Sequence, residues 1–274
     1  MSETESQKLQ KSLEELALWE KGMSIAERDA EVYRLKRTQK QYEARRDILK
    51  SIPKFWYIVL AENDDFAEYV SVEDLKYLES IENLYVYYPV AESDSEDAIE
   101  HYKDFSITIT FSGDSKDALV PTQEVTKFFK TIFKDGEETI ISEPVDIEWP
   151  EELKQINPKL IKQENKGKTL TKEQKANYRS GMKSFFAWFA WTGEKPGKEF
   201  RDGEDLTRLI VDDLYLNALK YYVMALPNED DDSEGSDEED SSEGEELDLS
   251  EDDEPENSKR SADATSEQDA KRQK

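Results

Sequence analysis

Leu9-Gln10-Lys11-Ser12-Leu13-Glu14-Glu15-Leu16-Ala17-Leu18-Trp19-Glu20-Lys21-Gly22-Met23-Ser24-Ile25-Ala26-Glu27-Arg28-Asp29-Ala30-Glu31-Val32-Tyr33 holds no proline and one glycine. Its apolar residues Leu9, Leu13, Leu16, Trp19, Met23, Ala26, Ala30 and Tyr33 recur at the three- and four-residue steps of one helix face. Proline stays absent as far as Leu49. The pattern predicts one long helix, or two bending at Gly22. Uninterrupted, it measures on the order of 60 Å at about 1.5 Å per residue, wider than a domain of roughly 200 residues. Its apolar stripe must therefore find cover outside that domain. A hairpin folded back at Gly22 would supply it, and so would pairing with the same helix of a second chain, which is the preferred reading. Past Tyr33 the stripe gives way to Lys36-Arg37-Thr38-Gln39-Lys40-Gln41. A long, regular leucine zipper is excluded.

Downstream, Ser51-Ile52-Pro53 interrupts the helix. Phe55 to Leu60 resumes as a short apolar helix, and further short helices are expected at 66–70 and 72–78. The period then changes from 3.6 to 2. Leu84 to Tyr88, Phe105 to Phe111 and Val125 to Phe133 are rich in β-branched and aromatic residues and are bounded by Pro89, Gly113, Pro121 and Gly136. They predict three antiparallel strands. A proline-punctuated segment, Glu143 to Pro150, crosses back, and a Lys-rich loop is expected from Asn157 to about Lys172. Two helices, over 172–189 and 205–224, close the body. The fold class is α+β: a long N-terminal dimerisation helix, then an antiparallel sheet with helices on one face.

The organisation read from these signals is a disordered N-terminus (1–8), the long helix (9–52), an α+β domain (53–226), an acidic disordered tail (227–258) and a terminal basic segment (259–274). The formal charge of the 274-residue chain is −28. Residues 229–274 carry 21 acidic and 5 basic side chains, so −16 lies there and −12 on the rest. Such a field repels nucleic acid and anionic membranes and raises the on-rate of basic proteins. The chain has no cysteine and one histidine, His101. Disulfides, thiol nucleophiles, Cys-ligated zinc and Ser/His or Cys/His nucleophile systems are thereby excluded, and no metal site or cofactor is expected. The longest apolar runs, Phe55 to Ala61 and Phe185 to Trp191, are too short to span a membrane. A soluble intracellular protein is expected.

Two motifs imitate known ligand loops and fail. Gly167-Lys168-Thr169 lacks the upstream glycine of a phosphate loop, where Lys162 stands. Asp230, Asp232 and Gly235 resemble a calcium loop, but Ser241 occupies the position of the bidentate glutamate. No enzymatic activity is implied. What remains is the tail. Residues 229–256 contain 18 Asp or Glu and no Lys or Arg, too little apolar area to offset the entropy of ordering. A polyanion of this density, including Asp230, Asp231, Asp232, Asp237, Glu238, Glu239 and Asp240, can replace DNA phosphates on a basic protein by the same counterion-releasing electrostatics. Beyond it, Lys259-Arg260 and Lys271-Arg272-Gln273-Lys274 have the two-cluster spacing of a bipartite nuclear localisation signal read by a nuclear import receptor.

Several motifs together resemble one family. Ser142-Glu143-Pro144-Val145-Asp146-Ile147-Glu148-Trp149, Lys183-Ser184-Phe185-Phe186-Ala187-Trp188-Phe189, and Leu209-Ile210-Val211-Asp212-Asp213-Leu214-Tyr215-Leu216-Asn217-Ala218-Leu219-Lys220-Tyr221-Tyr222 before an acidic tail look like the nucleosome assembly protein/SET family of histone chaperones. Val32-Tyr33-Arg34-Leu35 and Trp191-Thr192-Gly193-Glu194-Lys195-Pro196-Gly197-Lys198-Glu199-Phe200 resemble its fungal SET-type member, which partners the fungal histone H3 acetyltransferase. The resemblance implies a headphone-shaped homodimer with an α+β earmuff at each end and an acidic cavity for H3/H4. It places Asp212 and Asp213 at an acidic pair on the concave side, and it implies stimulation of an acetyltransferase partner. Leu216 stands where the family usually has proline.

Overall fold

The computed structural model describes residues 3–113 and 119–227, which belong to the unit ending at Asn228. The acidic run 229–256 and the basic clusters at 259–274 lie outside the described residues. Helix α1 spans Glu3–Leu49 over 47 residues without a break. The hairpin at Gly22 is therefore not formed: one mid-helix glycine costs only about 1 kcal/mol relative to alanine, and propagation from the flanking turns carries through it. The same propagation takes the helix outward to Glu3, where the sequence reading placed a disordered segment at 1–8, because residues 3–8 hold no proline or glycine.

A turn through Pro53 leads to α2 (Phe55–Ala61) and α3 (Asp64–Tyr69), then a 3₁₀ turn (Val72–Asp74) running into α4 (Leu75–Leu78). Strand β1 (Ile81–Tyr87) is followed by α5 (Glu96–Glu100), β2 (Phe105–Phe111), β3 (Gln123–Lys134) and β4 (Glu137–Ser142). After the crossing segment come a 3₁₀ turn (Glu151–Ile156), α6 (Pro158–Glu164), α7 (Lys172–Gly181), α8 (Phe185–Trp188), α9 (Gly203–Arg208), a π-helical segment (Leu209–Leu214) and α10 (Ala218–Met224). The sheet runs β1-β2-β3-β4, antiparallel throughout. Its register puts Leu84 opposite Ile109 and Ile107 opposite Lys127. One face is apolar, and there Phe111 stacks on Phe186 of α8 at 5.9 Å and Phe129 on Trp188 at 5.7 Å. On the other face Thr108 and Thr126 hydrogen-bond at 2.8 Å, and Thr110 donates to Glu124 at 2.9 Å.

Helix α1 is fastened by its last third. Val32 and Leu35 are buried with Val90. Gln39, also buried, covers the outer edge of β1: its Nε2 donates to Val86 O at 3.1 Å and to Tyr85 Oη at 2.7 Å, and its Oε1 accepts from Tyr88 N at 3.3 Å. A turn further on, the Arg45 guanidinium lies over the rings of Tyr42 (4.7 Å), Tyr215 (4.4 Å) and Trp56 (5.9 Å). That aromatic box joins α1 to α2 and to the end of the π segment.

Four local expectations are corrected. The strand β4 was missed, although Asp135-Gly136, at φ 55° and 91°, is the turn pair that favours a tight hairpin. The Lys-rich loop contains α6, whose start is fixed by Asn157 Oδ1 accepting from Lys159 N at 2.9 Å and by Pro158 in the first turn. The helix expected over 172–189 is two. Buried Asp74 accepts from Ser184 Oγ and Phe185 N, both at 2.9 Å, and Ser184 caps α8. A Cβ at Gly181 would stand 1.8 Å from Ile156 O, so α7 ends in a close backbone approach that only glycine permits. Lastly, the helix expected over 205–224 is divided by the π segment and a turn at Tyr215 to Asn217.

Lys127 joins sheet to helices. Its side chain is fully buried on the apolar face, and its ammonium donates to Glu143 O (2.9 Å), Phe189 O (3.0 Å) and Trp191 O (2.7 Å). Burial pulls its pKa down from 10.5 to about 7, with Glu199 opposing. Because the unfolded chain binds this proton more tightly, the group's contribution to stability is fully present above about 10.5 and is lost as the pH falls toward about 7. Lys127→Met strands three carbonyls at about 1–3 kcal/mol each. We expect a urea midpoint far below wild type, and a smaller gain in stability between neutral and mildly alkaline pH. A midpoint equal to wild type at both pH values contradicts this role.

Candidate functional site

Carboxylates from segments far apart in the sequence meet around Tyr69 and Tyr221. Asn63 Oδ1 accepts from Phe66 N at 2.8 Å and starts α3, where acidic residues suit the positive end of the helix dipole. Buried Phe66 turns inward and leaves Asp65 and Glu68 exposed. At α9, Asp202 takes a left-handed conformation (φ 55°) and Gly203 lies so close to Trp191 that a Cβ would meet the ring at 2.6 Å. Leu206 and Thr207 are buried, which leaves Asp205 outward. The Tyr69 hydroxyl registers the combined field: burial raises its pKa, and Asp205, Glu68, Asp202 and Asp65 raise it further. Arg201 pairs with Asp202 at the rim. Asp65, Glu68 and Asp205 form no ion pair with any described residue.

The π segment separates the two aspartates that the sequence reading paired. Tyr215 N donates to Ile210 O at 2.9 Å, a five-residue step, while Ile210, Val211 and Leu214 are buried. Asp213 turns toward α10. It accepts from Asn217 Nδ2 at 2.7 Å and from Tyr221 Oη at 2.6 Å. Asp212 stands instead at a cavity of about 250 Å³ shared with Arg34, Lys103, Glu138 and Arg208. Those cations have partners, Arg34 with Glu31, Lys103 with Glu138 and Arg208 with Glu204. Asp212 has none. Although more than a third of its surface is exposed, the crowding around its carboxyl raises its pKa, against the pull of Arg208 and Arg34. A partly desolvated carboxylate without a partner is well placed to receive a cationic group, since attraction strengthens as the local dielectric falls.

The remaining sequence-derived residues are distributed as follows. Leu9, Leu13, Leu16, Trp19, Met23, Ala26, Ala30 and Tyr33 are all exposed within the chain. Asp230, Asp231, Asp232, Asp237, Glu238, Glu239 and Asp240, and Lys259, Arg260, Lys271, Arg272 and Lys274, lie outside the described residues. Asp65, Glu68, Asp202 and Asp205 were not anticipated. No sequence pattern joins positions 65 and 205. Among the described residues no group of three or more His, Cys, Asp or Glu could hold a metal ion, and no helix is long and apolar enough to cross a membrane. The division of labour between the aspartates is testable by thermal melts. Asp213→Ala, which breaks two charge-assisted bonds, is expected to cost about 1–3 kcal/mol, or roughly 2–4 °C in Tm per kcal/mol. Asp212→Asn should melt at or slightly above wild type at neutral pH. The reverse order would place the structural role on Asp212.

The comparisons with known proteins agree with this architecture. The family model for nucleosome assembly protein matches residues 2–252. The chain is 40% identical over 223 residues to vacuolar protein sorting-associated protein 75 of Saccharomyces cerevisiae, covering 80% of each. It is 34% identical over 207 residues to a putative nucleosome assembly protein of Schizosaccharomyces pombe, covering 72% of this chain and 73% of the relative. A crystal structure of the Vps75 histone chaperone superposes with a TM-score of 0.68 at 39% identity, over 78% of this chain and 98% of that one. The crystal structure of Ccp1 gives 0.56 at 28% identity, over 81% and 98%. With its long helix, four-stranded antiparallel sheet and flanking helices, the chain belongs to the nucleosome assembly protein family.

Proposed function

We propose that this protein is a histone chaperone that takes H3/H4 on the carboxylates around Tyr69 and Tyr221 and on Asp212, assisted by the acidic run at 229–256. The observation that carries the reading is the convergence of exposed, unpaired carboxylates, Asp65, Glu68 and Asp205, on one part of a family domain. Its similarity to a solved histone chaperone supports the same reading. The mechanism is competition. Carboxylates occupy the Lys and Arg side chains that would otherwise neutralise DNA phosphates, and screened contacts of this kind suit capture and hand-off. Release follows when DNA offers the better set of contacts, with no nucleotide hydrolysis or other catalysis.

Two further features belong to this reading. The exposed stripe from Leu9 to Tyr33 would pair with its copy in a homodimer, presenting two acidic faces to one histone pair and raising effective concentration. The clusters Lys259-Arg260 and Lys271 to Lys274 would carry the protein to the nucleus through an import receptor. Removing Lys271 to Lys274 should abolish nuclear accumulation of a fluorescent fusion, and undiminished accumulation contradicts the signal. A second reading, in which the protein is chiefly an activator that presents H3/H4 to a histone acetyltransferase, is supported by the resemblance of Trp191 to Phe200 to the fungal SET-type sequence.

The deciding measurement is binding of purified H3/H4, and of the other core histone pair, at moderate salt. It compares the full chain, a chain ending at Leu226, and Asp65→Asn/Glu68→Gln/Asp205→Asn. The shortened chain should retain preferential H3/H4 binding, and the triple variant should weaken it about tenfold or more. If binding disappears with the tail and the triple variant matches wild type, the folded face is not the site.

A further inference from the structure

Independently of histone binding, the opposite sign of charge gathers elsewhere on this acidic chain. Residues 153–200 carry 11 Lys or Arg and 4 Glu, a local +7 within a total of −28. Part of this segment, with the crossing segment 144–149, encloses an open groove of about 1090 Å³. Its floor includes Val145, Ile147, Met182, Phe186 and Phe200, of which Val145, Ile147 and Met182 are half-buried and so partly available. Lys159, Lys162, Lys195 and Lys198 line it as well. Lys159 is paired with Asp146. The other three are exposed and form no ion pair.

Two of those lysines sit on a strap built to a fixed shape. The Glu199 carboxylate accepts from Thr192 N (2.7 Å), Thr192 Oγ1 (2.8 Å) and Lys195 N (2.8 Å). Gly193 and Gly197 take positive φ, 80° and 74°. The strap is thereby closed on itself, with Lys195 and Lys198 exposed beside the groove. The acidic face uses none of this.

We propose that this groove docks an extended, acidic segment of a partner protein whose aliphatic side chains occupy the floor while its carboxylates meet Lys162, Lys195 and Lys198. Charge complementarity favours an anionic occupant, and the apolar floor favours one with aliphatic side chains. The cavity matches or exceeds the roughly 300–1,000 Å³ of small-molecule sites and is open along its length, which suits a peptide. A single nucleic acid strand fits less well. Its affinity depends on aromatic faces open for base stacking, and the Tyr178 ring at this groove is already covered by the Lys162 ammonium at 4.9 Å.

The test is fluorescence anisotropy with the full chain and three labelled probes: a peptide of about a dozen residues alternating Glu or Asp with Leu or Ile, the same peptide with Ser for Leu and Ile, and oligothymidine of equal length. The first probe should bind saturably, the Ser probe and oligothymidine several-fold more weakly. Lys195→Glu/Lys198→Glu should weaken the first probe by about tenfold or more, whereas Lys130→Glu, on the far strand β3, should not. Lys162→Gln gives a milder loss and keeps the proposal testable should the double variant fail to fold by circular dichroism. No saturable binding, equal affinity for the two peptides, tighter binding of oligothymidine, or an equal loss in Lys130→Glu overturns the proposal.

Discussion

The edge of a β-sheet leaves a row of peptide groups without partners, and on β1 the amide of one side chain, Gln39, covers that edge. Its donor and acceptor imitate the two groups that a neighbouring strand would offer. Being buried, the amide has little freedom to satisfy Val86 O and Tyr88 N from any other angle, so the position and direction of α1 follow from it. The cation over three rings at Arg45 then fastens the same helix to α2 and Tyr215. With its last third held, the rest of the helix has nowhere to fold back to. Residues 5–27 are exposed without exception, and the apolar stripe is left for something outside the chain.

Within the α+β body, charge is sorted rather than spread. Carboxylates collect around α3, α9 and the π segment, and lysines collect from α6 to the strap. Lys127 stands between the sheet and the strap as a buried cation held by carbonyls, so it adds no exposed positive charge while tying the crossing segment, the end of α8 and the strap to one strand. Any movement of the sheet relative to those pieces must break charge-assisted bonds in a region without water to replace them.

The parts of the fold legible in the sequence were those set by local periodicity. The long helix and β1 to β3 announce themselves by steps of 3.6 and 2, and residues that satisfy both the local preference and the final packing are the ones a pattern can find. The helix breaks were hidden because distant groups impose them: Asp74 reaches Ser184 and Phe185, and Ile156 O presses on Gly181. The missed β4 opens with Glu137 and Glu138, residues disfavoured in strands, and only its Asp-Gly turn gave it away. For the site, Asp212 and Asp213 were visible only through resemblance. The acidic group around Tyr69 could not be read at all, since nothing in a linear chain links α3 to α9.

The π segment adds one residue to a turn that an ordinary helix would complete with fewer, and single extra residues of this kind shift the phase of everything that follows. Shortening Leu209–Leu214 by one would restore the usual winding and swing α10 through about 100°, carrying Tyr221 away from Asp213 and presenting a different edge of the helix to solvent. Here the length of a turn, rather than the identity of its side chains, decides where its two neighbouring charges point. Related chains could redirect those charges by insertion or deletion without changing a single acidic residue.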